Sequence, residues 1–263
     1  MQIGTFARTT EQVKKGLENS PDFVELRMDA DHKIVFDEVK AALNQMGVSC
    51  TLHLPSNRNW APVDLSQDIV PYIDLGQMID AELLVFHAPL STLLYSDEEI
   101  DTFLQTLPLA YDAAKESGVK LAIETIGFYY TEMMLVIDSF PDLKIDLDIG
   151  HGQLLANRNR ALGHIENYCQ NIEMVNVHDN NACETYSEIL NTKNLADFSK
   201  EDLRKMSITC DKHLPIGEGT IEFSPIFSAL KQKHYDGRFL MLCSDPTCFK
   251  NERDKFMKLW LDA

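Results

Sequence analysis

An α/β fold closed into an eight-stranded (β/α)8 barrel, the TIM barrel, is what the sequence predicts, on three observations. Short β-rich runs alternate with segments of helical spacing along most of the chain. The runs number eight, and eight parallel strands can close on themselves so that no edge is left unpaired. Five of them end in, or lead straight into, a residue able to bind a metal, a further run, DKHLPIGEG, adds two more, and strand tips are where such a barrel presents its chemistry. The chain of 263 residues suits one such domain, 1–263.

The elements follow in order. Gln2–Phe6 is the first strand, and the Gly4-Thr5-Phe6-Ala7-Arg8 that carries it is no glycine-rich phosphate loop, which disfavours an open doubly wound sheet. In the second, Phe23–Met28, Glu25 and Arg27 alternate with Val24, Leu26 and Met28 and share a face. They form a buried ion pair or touch substrate, the pair being the expectation. Val35, Val39, Leu43 and Met46 recur at helical spacing over Val35–Met46, and Gly47 ends the helix. Cys50–Leu54 brings His53, and the loop after it carries Arg58 and Trp60 as candidates to touch substrate, although packing under the loop is expected of Trp60.

Leu83–His87 ends on His87. A long helix then spans Ile100–Ser117, carrying Ile100, Phe103, Leu104, Leu107, Ala110, Tyr111 and Ala114 at helical spacing and ending at Gly118. Lys120–Glu124 ends on Glu124, Leu143–Asp148 on Asp148, with His151 one turn further, and Ile172–His178 on His178. About 60 residues separate His178 from the last strand, Phe239–Cys243, which is long for a connection. The polar first half, at about 180–210, predicts an excursion over the barrel mouth. Ser224-Pro225 reads as the cap and first turn of a helix Ile226–Lys231.

Composition narrows the function classes. Basic residues number 24 against 41 acidic, a net charge of −17, which repels phosphate backbones and anionic membranes and disfavours a broad nucleic-acid grip. No run approaches the roughly 18 apolar residues of a membrane span, and the opening MQIGTFARTTEQ lacks the basic and apolar regions of a signal peptide. Cys50, Cys169, Cys183, Cys210, Cys243 and Cys248 are scattered without a C-x-x-C pair, as in a cytoplasmic protein with reduced thiols. His32, His164 and His234 lie away from strand tips and read as surface residues.

Imidazoles and carboxylates in this mixture suit zinc, manganese or iron, and a carboxylate can bridge two ions. Asp148 and His151 sit about one turn apart where the strand breaks at Gly150. Asp211 and His213 are alternate residues of an extended segment and share a face. A single histidine after an apolar run is more often a hydrogen-bonded rim residue than a ligand. The coincidence at so many strand tips predicts a convergent metal site.

The order His53, His87, Glu124, Asp148-x-x-His151, His178, Asp211-x-His213 along this alternation resembles the xylose isomerase-like barrel superfamily. DKHLPIGEGTIEF, with NVHDNN before it, is similar to that superfamily's seventh-strand region. The superfamily holds sugar isomerases and epimerases as well as the endonuclease IV group of apurinic-site nucleases. The sugar branch implies one divalent ion on Glu124, Asp148 and His178, with a glutamate from the eighth strand. The nuclease branch implies up to three zinc ions, which add His53, His87, His151, Asp211 and His213. The chain departs on strand eight, where Cys243 stands at the usual glutamate position. Either Glu124 then works alone as base or Asp245 substitutes; Cys243 binds the ion as a thiolate or packs as a small hydrophobe. Gly217-Glu218-Gly219 reads as a turn, with Glu218 a candidate to reach the mouth.

The resemblance implies a metal-dependent isomerase or epimerase of a small sugar or polyol derivative, with one to three zinc or manganese ions and Glu124 as base. Second comes a zinc phosphodiesterase acting on abasic DNA or a smaller phosphate ester. Its basic cover near the strand tips, Arg8, Arg58 and Lys212, is thin, and IGFYYTEM follows Glu124 in place of a small polar turn. A non-catalytic sugar-binding barrel is third. Nothing in the sequence speaks to oligomeric state.

Overall fold

A computed structural model describes every residue except Ala30, Asn57, Arg58, Asn59, Pro62 and Thr192. Eight parallel strands close in the order β1 to β8, each hydrogen-bonded to the next and β8 to β1. In chain order the elements are β1 (Gln2–Ala7), α1 (Thr10–Leu17), β2 (Phe23–Arg27), α2 (Phe36–Met46), β3 (Ser49–His53) and α3 (Val70–Met78). They continue with β4 (Leu83–His87), α4 (Asp97–Ser117), β5 (Lys120–Glu124), α5 (Tyr130–Ile137), β6 (Lys144–Asp148) and α6 (Ala161–Tyr168). β7 (Ile172–Val177), α7 (Ala182–Leu190), α8 (Lys200–Cys210), α9 (Phe223–Gln232), β8 (Arg238–Met241) and α10 (Phe249–Asp262) complete the chain. Among the described residues, no helix is long and apolar enough to cross a membrane.

The period of two along each strand sorts side chains into two cores. Val24, Leu26, Leu52, Leu84, Phe86, Leu121, Ile123, Ile145, Leu147 and Val175 face outward and are buried under the helices. Phe6, Phe23, Leu83, Val85, Ala122, Met174 and Leu240 fill the barrel interior. Gly4 lies against the Phe23 ring so closely that a Cβ there would come within 2.5 Å of it.

Helix ends follow local chemistry. α4 starts at Asp97, three residues before the expected Ile100, because Ser96 and Glu99 form a reciprocal capping box. It ends at Gly118, whose φ of +70° suits a residue without Cβ. α9 starts at Phe223, so Ser224 and Pro225 lie inside its first turn, where the missing proline N–H costs nothing, and Ser224 is not the cap. Between β7 and β8, Tyr186 of α7 and Leu203 and Cys210 of α8 are buried with Trp60, Leu94, Tyr95, Ile126 and Leu154. His164 corrects the surface reading: it is 2% exposed, T-stacked on Phe128, with Nε2 donating to the Phe128 carbonyl at 3.1 Å. Its helix α6 is amphipathic, and His164 lies on the buried face beside Ala161 and Ile165. His234 is exposed and His32 half-buried.

Candidate metal centre at the strand tips

The inward alternation that ends each strand carries the candidate ligands to one place. Arg27 ends β2, His53 β3, His87 β4, Glu124 β5 and Asp148 β6, and His178 follows β7. His53, Glu124, Asp148 and His178 are fully buried. Glu124 is the hub: its Oε2 lies 2.6 Å from His53 Nε2 and 3.0 Å from His87 Nε2, and its Oε1 lies 3.0 Å from His151 Nδ1. Asp148 Oδ1 lies 2.9 Å from His178 Nε2 and accepts the His151 backbone N–H at 2.7 Å, which fixes the turn after the strand. Gly150 lets that turn pass over His178, since a Cβ there would meet the ring at 2.0 Å. Asp211 Oδ2 joins His151 Nε2 at 3.1 Å and His213 Nε2 at 2.9 Å, and the His213 ring stacks on His178 at 3.9 Å.

Three groups result in which one ligand atom per residue lies within 4.8 Å of the others: His53–His87–Glu124, Glu124–Asp148–His151 and His151–His178–Asp211–His213. The backbone sets the imidazoles for ligation. Nδ1 of His53 faces the Leu54 carbonyl at 2.9 Å, Nδ1 of His213 the Leu242 carbonyl at 2.9 Å, and Nδ1 of His178 the Asp179 carbonyl at 3.3 Å. A carbonyl can only accept, so these Nδ1 atoms carry the proton and the neutral rings turn the Nε2 lone pair inward. Each inward lone pair then opposes a carboxylate oxygen, an arrangement that calls for positive charge between the two. The donor set therefore fits divalent ions of the zinc or manganese kind.

Protons compete for the same positions. Against burial, Asp148 and Asp211 hold the His151 imidazole well above its ordinary range, and Asp211 does the same, more weakly, for His213. Burial, together with the Arg27 charge, pushes His53 down to about 4. Burial alone would raise Glu124, but the His87 and His151 charges and the histidine hydrogen bonds hold it well below the usual carboxylate range. Below the cluster, Arg27 Nη1 lies 3.2 Å from Glu25, so the expected buried pair forms. Burial pushes the Glu25 carboxyl up to about 8, against the opposing pull of the Arg27 charge.

Other candidates fall elsewhere. Cys243 is buried, its Sγ donates to the Asp245 carbonyl at 3.3 Å, and burial pushes the thiol up to about 12; it belongs to none of the three groups. Asp245 is exposed and uses Oδ1 to cap the Thr247 N–H at 2.8 Å, so it is turned to the chain after β8 and not to the cluster. The reason is register: Leu240 and Leu242 take the inward face at the end of β8, so Cys243 and Asp245 fall on the outward face of Phe239 and Met241. Glu218 is exposed, in a turn closed by its N–H on the Pro215 carbonyl. Arg58 lies outside the described residues. Trp60 is 8% exposed, meets His87 and His151 edge-on at 6.0 and 5.7 Å, and accepts the Tyr95 hydroxyl on its carbonyl.

Two features escaped the sequence reading. Asp146 and Asn176 bond to each other at 2.8 Å inside the barrel, and Asp146 shares a face with Asp148, a spacing visible in KIDLD. Asp179 ties the ligand-bearing segment after α8 to β7. Its carboxylate accepts the N–H groups of Asn180, Gly217 and Ile221 at 2.8, 2.9 and 3.0 Å, and its backbone bridges to Leu214.

A buried cluster of histidines and carboxylates at the C-terminal end of an eight-stranded parallel barrel defines the class. The family model described as xylose isomerase-like TIM barrel matches residues 15–257, and the chain belongs to that family. Uncharacterised protein MJ1614 of Methanocaldococcus jannaschii is 26% identical over 232 residues, spanning 82% of this chain and 79% of its own. A D-tagatose 3-epimerase-like protein superposes with a TM-score of 0.71 at 20% identity, covering 100% of this chain and 99% of its own. The IolI protein, in a structure with a bound zinc atom, gives 0.68 at 15% identity, covering 100% and 97%. At these identities the solved structures establish the shared fold.

Proposed function

We propose that the chain is a metal-dependent isomerase of a small sugar or polyol derivative, in which Glu124 alone moves the proton. The observation that carries this is Asp148 at the tip of β6, which shares one group with Glu124 of the β5 tip and lies 2.9 Å from His178 just after β7. The sugar epimerase-like and zinc-containing proteins of the same fold support it. A divalent ion on these residues would polarise a substrate carbonyl and make the neighbouring C–H acidic. Glu124 is ionised and able to accept that proton, and His151 beside its Oε1 stabilises the charge. Trp60 shields His87 and His151, while the His213 side chain, 25% exposed, marks the open side of the cluster.

Which proton transfer follows from the number of bases. Inverting a carbon requires a base on one face and an acid on the other. With Asp245 turned away and Cys243 tied up as a thiol, β8 offers no second group. A single base on one face moves a proton between adjacent carbons, which is aldose–ketose isomerisation. The test is deuterium incorporation in heavy water, followed by NMR on a panel of aldoses and ketoses with zinc- or manganese-loaded protein. Exchange in the wild type that disappears in Glu124→Gln is the expected result; no exchange with any sugar sinks the proposal.

One observation favours a second reading, hydrolysis of a phosphate ester. The His151–His178–Asp211–His213 group supplies three ligands, His151, Asp211 and His213, beyond the Glu124, Asp148 and His178 of a one-ion site. Nicking of abasic duplex DNA, or hydrolysis of an activated phosphodiester by the same loaded protein, is its test.

A further inference from the structure

The two sides of the cluster differ in one buried cation. Arg27 is 6% exposed, and its Nη2 lies 3.3 Å from His53 Nε2. His53 gives its Nδ1 proton to the Leu54 carbonyl, so Nε2 is a lone pair, and Glu124 Oε2 opposes it at 2.6 Å. Two acceptors at that distance need positive charge beside them, and here the guanidinium supplies it. The same opposition recurs at His178–Asp148 and His213–Asp211, 2.9 Å each. Among the described residues, no arginine or lysine is recorded in contact with either of those pairs.

We infer that Arg27 is the built-in cation of the His53–His87–Glu124 group, so that this group takes no divalent ion while Arg27 is in place. The ions go to the side built from Asp148, His151, His178, Asp211 and His213, which Glu124 joins through Oε1, the oxygen turned away from His53 and Arg27. Two effects act together. The guanidinium is always charged, so it repels a dication a few ångströms away. It also occupies the lone pair that the dication would use. The inference rests on the metal-binding part of the proposed function and not on the reaction.

The experiment is the number of zinc ions per chain, by plasma mass spectrometry on zinc-loaded, gel-filtered wild type, Arg27→Met and His53→Gln. Arg27→Met is expected to hold one ion more than the wild type, because Nε2 is freed and the repulsion removed. His53→Gln is expected to hold the wild-type number. An unchanged count in Arg27→Met, or the loss of an ion in His53→Gln, overturns the inference. If Arg27→Met does not fold, the His53→Gln count decides alone. Ions without sugar exchange would sink the isomerase reading and leave this one standing; a wild type that takes up no zinc would sink both.

Discussion

Half of the candidate centre is carried by strands and half by loops, and the two halves are positioned by different physics. His53, His87, Glu124 and Asp148 are the last inward residues of β3 to β6, and His178 comes just after β7. The barrel's register aims them, so they need little else. His151, Asp211 and His213 lie beyond any strand. Each is held by dedicated bonds: the His151 N–H on Asp148, His213 Nδ1 on the Leu242 carbonyl, and the segment after His213 on the Asp179 carboxylate. His213 even adopts a φ of +46°, unusual for a residue with a Cβ, which those bonds sustain. A strand-borne ligand is therefore fixed by the fold as a whole, whereas a loop-borne one stands or falls with a few hydrogen bonds.

The largest effect that tests this contrast is at the hub of the strand-borne half. Glu124→Gln removes the base and one carboxylate while keeping the shape, so kcat for sugar isomerisation should fall on the order of 10²–10⁴-fold, with thermal unfolding in its usual cooperative form. A mild loss would mean that proton transfer is done elsewhere. Next comes the loop-borne half. Asp179→Ala removes three hydrogen bonds to a buried carboxylate, and should lower zinc affinity by roughly 10–100-fold, as removal of supporting groups around metal ligands does. Titration against a competing chelator reads it. If affinity is unchanged, the segment holding His213 is fixed by packing and the contrast between the halves fails.

The same contrast explains what the sequence made legible. Strand-borne ligands are written in the alternation: a β-rich run such as LLVFH announces both a strand and the side chain that ends it. All eight strands were visible this way, to within two residues at either end. Asp211 and His213 could be suspected from spacing, but Asp179 could not be ranked above Asn180 or Asn181 beside it, because its partners lie about 40 residues away and reach it through backbone N–H groups that carry no side-chain signature. Cys243 and Asp245 were over-read for the complementary reason. Cys243 was assigned from its likeness to the family's glutamate position and Asp245 because it shares that face, but the face is the outward one of Phe239 and Met241. His164 was misjudged because distance from a strand tip says nothing about which face of a helix is buried.

His164 gives the third prediction, since it is a buried histidine outside the cluster. Burial pushes its imidazole down to about 4, whereas an unfolded histidine titrates near 6.5. Between those values the unfolded chain binds a proton that the folded chain does not, so stability rises with pH from about 4 to 6.5 and is level above. The span corresponds to about 3 kcal/mol, lost progressively as the pH falls. His164→Gln should flatten that part of the curve measured by urea unfolding at several pH values, with sugar isomerisation retained. A slope unchanged by the substitution would mean that the acid sensitivity arises elsewhere.

The smallest effect is the one that separates β8 from its neighbours. Asp245 is exposed, and its carboxylate caps the short turn before α10 through the Thr247 N–H. Removing such a cap costs about 1 kcal/mol or less when solvent can replace it. Asp245→Ala should therefore lower the unfolding midpoint slightly and leave kcat and KM for the sugar within about twofold, a change of roughly 0.4 kcal/mol at most. A fall in kcat of the size expected for Glu124→Gln would bring a second base back to the site. Epimerisation across two faces would then replace single-base isomerisation, because the argument against it rests on where Asp245 points.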